Sequence, residues 1–121
     1  MTLKNGHKDL IVWQKSLDLA DAVYALTREF PKEETYGLTS QMRRCAVSIP
    51  SNIAEGSGRK TMKDFKQFLA VAYGSALEFE TQLLLCQRFG YGHSLKITRA
   101  HNLLDEVLRM LNKMTAFRPS N

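Results

Sequence analysis

Thr61-Met62-Lys63-Asp64-Phe65-Lys66-Gln67-Phe68-Leu69-Ala70, continued without a proline to Arg88-Phe89-Gly90, is the stretch that decides the fold. Turned at about 100° per residue, Phe65, Phe68, Leu69, Ala72, Ala76, Phe79, Leu83 and Cys86 fall on one arc about 100° wide. Thr61 with Asp64 three residues later resembles a capping box, with aspartate in place of the usual glutamate. Gly90-Tyr91-Gly92 then supplies a turn. The spacing predicts a helix over 62–89, roughly 42 Å long at about 1.5 Å per residue. A rod of that length with one apolar stripe needs other helices to cover it.

Three further stretches carry the same period. In Asp9 to Phe30, the residues Val12, Trp13, Leu17, Leu19, Ala20, Val23, Tyr24, Leu26 and Phe30 share half of the wheel, and Pro31 predicts the stop. In about 37–56, Leu38, Met42, Cys45, Ile49 and Ile53 form a stripe into which Asn52 intrudes. Pro50 lies inside that segment and removes the donor for the Ala46 carbonyl, which predicts a kink or a break near Ser48. Gly56-Ser57-Gly58 reads as the helix stop. Over 95–117, Ala100, Leu104, Val107, Leu111 and Met114 recur at near-heptad spacing, flanked by Leu103, Leu108 and Phe117, with Ser94 as the expected N-cap. Nothing has the two-residue alternation of a strand and hairpin. The predicted fold is all-α: an antiparallel up-down-up-down four-helix bundle forming a single domain over 1–121, its second helix kinked at Pro50.

At 121 residues the chain has room for one core, and 44% hydrophobic content sets it apart from disordered sequences. No apolar run reaches the roughly 20 residues of a membrane span, and no basic-then-apolar leader opens the chain. The expectation is a soluble cytoplasmic protein without membrane contact. Cys45 and Cys86 stand far apart on apolar faces and read as small buried hydrophobes, while His7, His93 and His101 are scattered, so no metal site is expected.

Catalysis is not expected either. Glu78 and Glu80 diverge by about 200° on their helix, and the adjacent Asp105 and Glu106 diverge as well. Gly56-Ser57-Gly58-Arg59-Lys60-Thr61 has a superficial likeness to a phosphate loop, but it lacks the Gly-Lys pair and follows a helix rather than a strand. No catalytic residue and no cofactor are assigned.

The net charge of +5 is concentrated: Arg43, Arg44, Arg59, Lys60, Lys63 and Lys66 face only Glu55 and Asp64 between Ser40 and Ala70. These six cations are the candidate nucleic-acid contacts, through phosphate and without base-specific readout, because Phe65 and Phe68 belong to the core arc and no other aromatic is interleaved with them. An acidic partner protein docked on the same cluster is the alternative. The first helix is apolar over about 180°, and Tyr73, Leu77 and Leu84 add a strip beside the core arc of the third. Thick intramolecular burial under loops and the N-terminal arm is one explanation. The other, preferred because exposed apolar strips are rare on monomers, makes Leu19, Leu26, Tyr73, Leu77 and Leu84 the candidate interface of a homo-oligomer.

Asp9-Leu10-Ile11-Val12-Trp13-Gln14-Lys15, Tyr36-Gly37-Leu38-Thr39-Ser40-Gln41-Met42-Arg43-Arg44 and Ser48-Ile49-Pro50-Ser51-Asn52-Ile53-Ala54-Glu55-Gly56 resemble a bacterial four-helix-bundle family. That family is known for the protein encoded in intervening sequences of 23S ribosomal RNA genes. Phe65, Leu69, Tyr73-Gly74-Ser75-Ala76, Glu78 and Glu80 are similar to its third-helix pattern. The resemblance implies a left-handed bundle assembled as a pentameric ring. A related protein, the accessory variability protein of diversity-generating retroelements, binds nucleic acid together with a reverse transcriptase, so RNA or DNA and such an enzyme are partners the resemblance implies. Ser48, Pro50, Ser51, Asn52, Glu55 and Gly56 are assigned a structural role, satisfying backbone groups freed at Pro50 and fixing the route out of the helix.

Overall fold

The computed structural model describes residues 5–116, so Phe117 and the expected end of the last helix at 117 lie outside the described residues. Four helices carry the fold: α1 (Ile11–Thr27), α2 (Leu38–Ser57), α3 (Met62–Phe89) and α4 (Ser94–Thr115), with short 3₁₀ turns at Gly6–Asp9 and Lys32–Glu34. Consecutive helices pack on one another, α4 closes back onto α1, and among the described residues the backbones of the diagonal pairs do not come close. The cross-section is a square and the connections are short, the arrangement of an antiparallel up-down bundle. Side-chain pairs follow the same register: Lys15, early in α1, meets Glu106, late in α4, at 3.0 Å, and Glu29 just past α1 meets Lys96 early in α4 at 3.1 Å.

The core is continuous from Val12 to Leu111, and Leu19, Leu26, Met42, Ile49, Ile53, Leu69, Phe79, Leu83, Leu104 and Leu111 are fully enclosed. Each such side chain contributes about 1.5–3 kcal/mol relative to an exposed position. Cys45 and Cys86 are free thiols within this core, as small hydrophobes would be. Burial pushes the Cys45 thiol up to about 12, with the Glu78 carboxylate adding to it, and burial pushes Cys86 up to about 11.

The helix ends show how local chemistry trims the periodic pattern. α1 begins only at Ile11, because Gly6–Asp9 winds as a 3₁₀ turn and Leu10 is extended. It ends at Thr27, and the next residues tighten, with Glu29 N–H donating to Leu26 and Phe30 N–H to Thr27. Thr61 caps α3 by accepting the Asp64 N–H at 3.1 Å. The cap of α4 is His93 rather than Ser94: the His93 Nδ1 accepts the Leu95 N–H at 3.2 Å and Ser94 is already helical. Gly90, with φ +77°, closes α3 in the left-handed conformation that glycine adopts without strain.

α2 stays helical over Leu38–Ser57, through the position of Pro50 in the chain, so the expected break does not occur. Ser51 Oγ donates to the Val47 carbonyl and Asn52 Nδ2 to the Ser48 carbonyl, both at 2.8 Å. Side chains thus occupy the two carbonyls that follow Ala46. Asn52 also reaches Ser48 Oγ at 3.0 Å, and Ser48 Oγ pairs with Ser75 Oγ of α3 at 2.9 Å, which turns the intruding polar residues into a crosslink between helices. Two assignments in this motif change. Glu55 points outward to Arg59 at 3.4 Å and satisfies no backbone group. Gly56 lies in the last turn before the stop, which falls at Ser57 with Gly58 as the cap, and its own part is a buried point of close approach: a Cβ there would lie 2.6 Å from Cβ of Phe68 and 3.1 Å from Cδ1 of Phe65.

Candidate nucleic-acid interface

The six cations proposed from sequence do not form one cluster. Because α2 is a continuous helix, Arg43 and Arg44 near its start lie about 20 Å from Arg59 and Lys60 beyond its end. The structure therefore sorts them into two groups at opposite ends of the bundle.

At one end, the α2–α3 turn carries Arg59 and Lys60, and the first two turns of α3 carry Lys63 and Lys66. Arg59 is partly engaged, paired with Glu55 at 3.4 Å and stacked 4.6 Å from the Phe68 ring centroid. Lys60, Lys63 and Lys66 are exposed, and none has a carboxylate within 4.0 Å among the described residues. Lys63 and Lys66 line a groove of about 490 Å³ with Met62, Gln67, Ala70 and Thr115. Asp64, also exposed, is the acidic residue nearest to them in α3.

At the other end, Arg43 is held from α1: its Nε donates to Thr27 Oγ1 at 2.8 Å and its guanidinium lies 4.4 Å from the Tyr24 ring centroid. Arg44 is exposed and reaches Ser40 Oγ only at 3.4 Å. Neither arginine has a carboxylate within 4.0 Å among the described residues. A groove of about 490 Å³ joins Arg43 and Arg44 to Tyr24, Tyr36, Thr35 and Val47. Two aromatic rings thus stand beside the arginines after all. Sequence inspection missed them because Tyr24 comes from α1 and Tyr36 from the turn before α2; only helix packing brings both to Arg43. Arg44 also borders a second groove of about 300 Å³ between α2 and α3, lined by Gln41, Cys45, Ser48, Ser75 and Glu78. Behind it, the buried Gln82 gives its amide N–H to Glu78 at 3.4 Å, and its Oε1 has no partner among the described residues.

The candidate interface residues divide as well. Leu19 and Leu26 have no exposed surface and belong to the core, which corrects their placement on an outer strip. α1 is covered from two sides, by α2 and α4, and that double burial accounts for its broad apolar arc. Tyr73 is half-buried against the core, whereas Leu77 and Leu84 stay 41% and 50% exposed.

No three His, Cys, Asp or Glu side chains gather into a metal-binding group among the described residues, and no helix there is long and apolar enough to cross a membrane. What fold and surface define is an all-helical bundle with cations at both ends. The chain belongs to the 23S rRNA-intervening sequence protein family, whose profile matches residues 8–113. A crystal structure from Bacteroides thetaiotaomicron VPI-5482, of a protein with unknown function from the S23 ribosomal protein family, has a TM-score of 0.77 and 24% sequence identity to it. The match covers 88% of this chain and 100% of that one, and at this identity the likeness shows the fold. Comparison with the curated proteins gives no match.

Proposed function

We propose that the protein is a non-catalytic, self-associating helical bundle that binds RNA through phosphate contacts at its basic ends. The observation that carries this is Lys60, Lys63 and Lys66: three exposed ammonium groups at the α2–α3 turn and the first turns of α3, with no carboxylate within 4.0 Å among the described residues. Charges arranged so, on a chain of net charge +5, attract a polyanion and release its counterions. Family membership supports RNA as that polyanion. The groups here contact phosphate and carry no base readout of their own.

Filter binding of a base-paired RNA hairpin across a salt series tests the proposal. If the three lysines each meet one phosphate, the log–log slope is about −2.7 per subunit on duplex. Reversing Lys60 and Lys63 to glutamate should abolish retention. Undiminished retention by that variant would refute the assignment, and an acidic partner protein would become the better occupant of these lysines.

Self-association is the second part of the proposal. It rests on Leu77 and Leu84, exposed one heptad apart on the outer face of α3. The pentameric ring that the sequence resemblance implies is adopted as the expected form.

A further inference from the structure

We propose that the groove between α1 and the start of α2 is a stacking subsite for an unpaired stretch of nucleic acid, a refinement that rests on the RNA-binding proposal above.

Tyr36 begins the case. It is 96% exposed, so its ring has almost no contact with its own chain. Its backbone, in contrast, is tied on both sides. Thr35 N–H donates to the Lys32 carbonyl at 3.1 Å and Gly37 N–H to the Glu34 carbonyl at 3.0 Å. One Glu34 carboxylate oxygen accepts the Leu38 N–H at 3.1 Å, and the other accepts the Tyr91 hydroxyl at 3.0 Å. A ring held out on a pinned turn is a prepared surface, because the ordering cost of the backbone is already met in the free protein.

The cations beside it are prepared too. Arg43 spends Nε on Thr27 and one face on Tyr24, which fixes the plane of the guanidinium and leaves its terminal nitrogens for another acceptor. Arg44 has only the long contact to Ser40. A planar guanidinium fork matches two phosphate oxygens. Tyr36, Tyr24, Arg43 and Arg44 line one groove of about 490 Å³. An exposed aromatic face next to cations without acidic partners is the combination by which single strands are held, base on ring and phosphate on cation. Bases inside a duplex are stacked on each other and cannot meet Tyr36, so the subsite selects unpaired nucleotides. It tolerates any base, because every base has a π-face. Glu33, exposed in the preceding turn, and Glu78, in the second groove that Arg44 borders, are carboxylates that oppose an anion, whereas Glu34 is engaged twice.

The experiment is fluorescence anisotropy with the full chain and two labelled probes, a short oligouridine and a blunt RNA duplex of equal length. Tyr36→Ala should weaken oligouridine binding about tenfold, within the range for one lost base–aromatic stack. Tyr36→Phe should keep wild-type affinity, and duplex binding should not change in either variant. Arg44→Gln should lower the salt slope on oligouridine by about 0.7, the signature of one phosphate contact. Equal oligouridine affinity for wild type and Tyr36→Ala would overturn the subsite and leave RNA binding standing. Equal losses on both probes would overturn it as well, since stacking cannot act on a duplex. So would a Tyr36→Ala variant with altered mass by light scattering and unaltered RNA affinity, which would make the groove a contact between copies. Binding of neither probe by the wild type would overturn both proposals.

Discussion

Gly56 sits where α2 and α3 come closest, and its missing side chain is what lets Phe65 and Phe68 lie against the helix backbone. Adding one methyl places Cβ 2.6 Å from Phe68 Cβ, a contact that only movement of α3 can relieve. Gly56→Ala gains helix propensity but should lose about 1–3 kcal/mol net through overpacking, visible as a lower midpoint in urea or thermal unfolding. An unchanged midpoint would mean that the two helices are not fixed in this register. Ser48, Asn52 and Ser75 act at the same scale. Their mutual bonds let a polar patch occupy the α2–α3 seam with its groups satisfied, and the seam keeps its register through them.

At the scale of elements, caps and turns set where each rod stops. Thr61→Ala removes the oxygen that accepts the Asp64 N–H and should cost about 1 kcal/mol, measured by the same unfolding assay. Thr61→Ser should retain most of that stability. The four helices were legible in the sequence because core residues recur every three or four positions, a pattern set by burial alone. Positions that depend on a partner element were not legible. Leu19 and Leu26 resembled surplus surface until α2 and α4 were seen to flank α1. Pro50 looked like a breaker because side-chain donors at Ser51 and Asn52 have no periodic signature. The tyrosines of the α1–α2 groove lie on separate elements, so their proximity to Arg43 is a product of packing and register. Half of the candidate site was therefore visible as charge, and its aromatic half was not.

At the scale of the whole molecule, the outer face of α3 bears Leu77 and Leu84, with Gly74 in open space one turn earlier. Packing that face against another copy would remove both leucines from water. Multi-angle light scattering of the wild type should give a mass several times that of one chain, and Leu77→Lys with Leu84→Lys should reduce it to the single-chain mass without unfolding the bundle. A wild-type mass equal to one chain would refute self-association.

The unbroken run of α2 also acts as a ruler. The arginines near its start and the cations beyond its end are held about 20 Å apart along a continuous helix. On the two proposals taken together, an RNA must reach about 20 Å past its unpaired segment before one molecule engages both ends. Shorter ligands occupy one end at a time, and the protein thereby measures a footprint without reading a base.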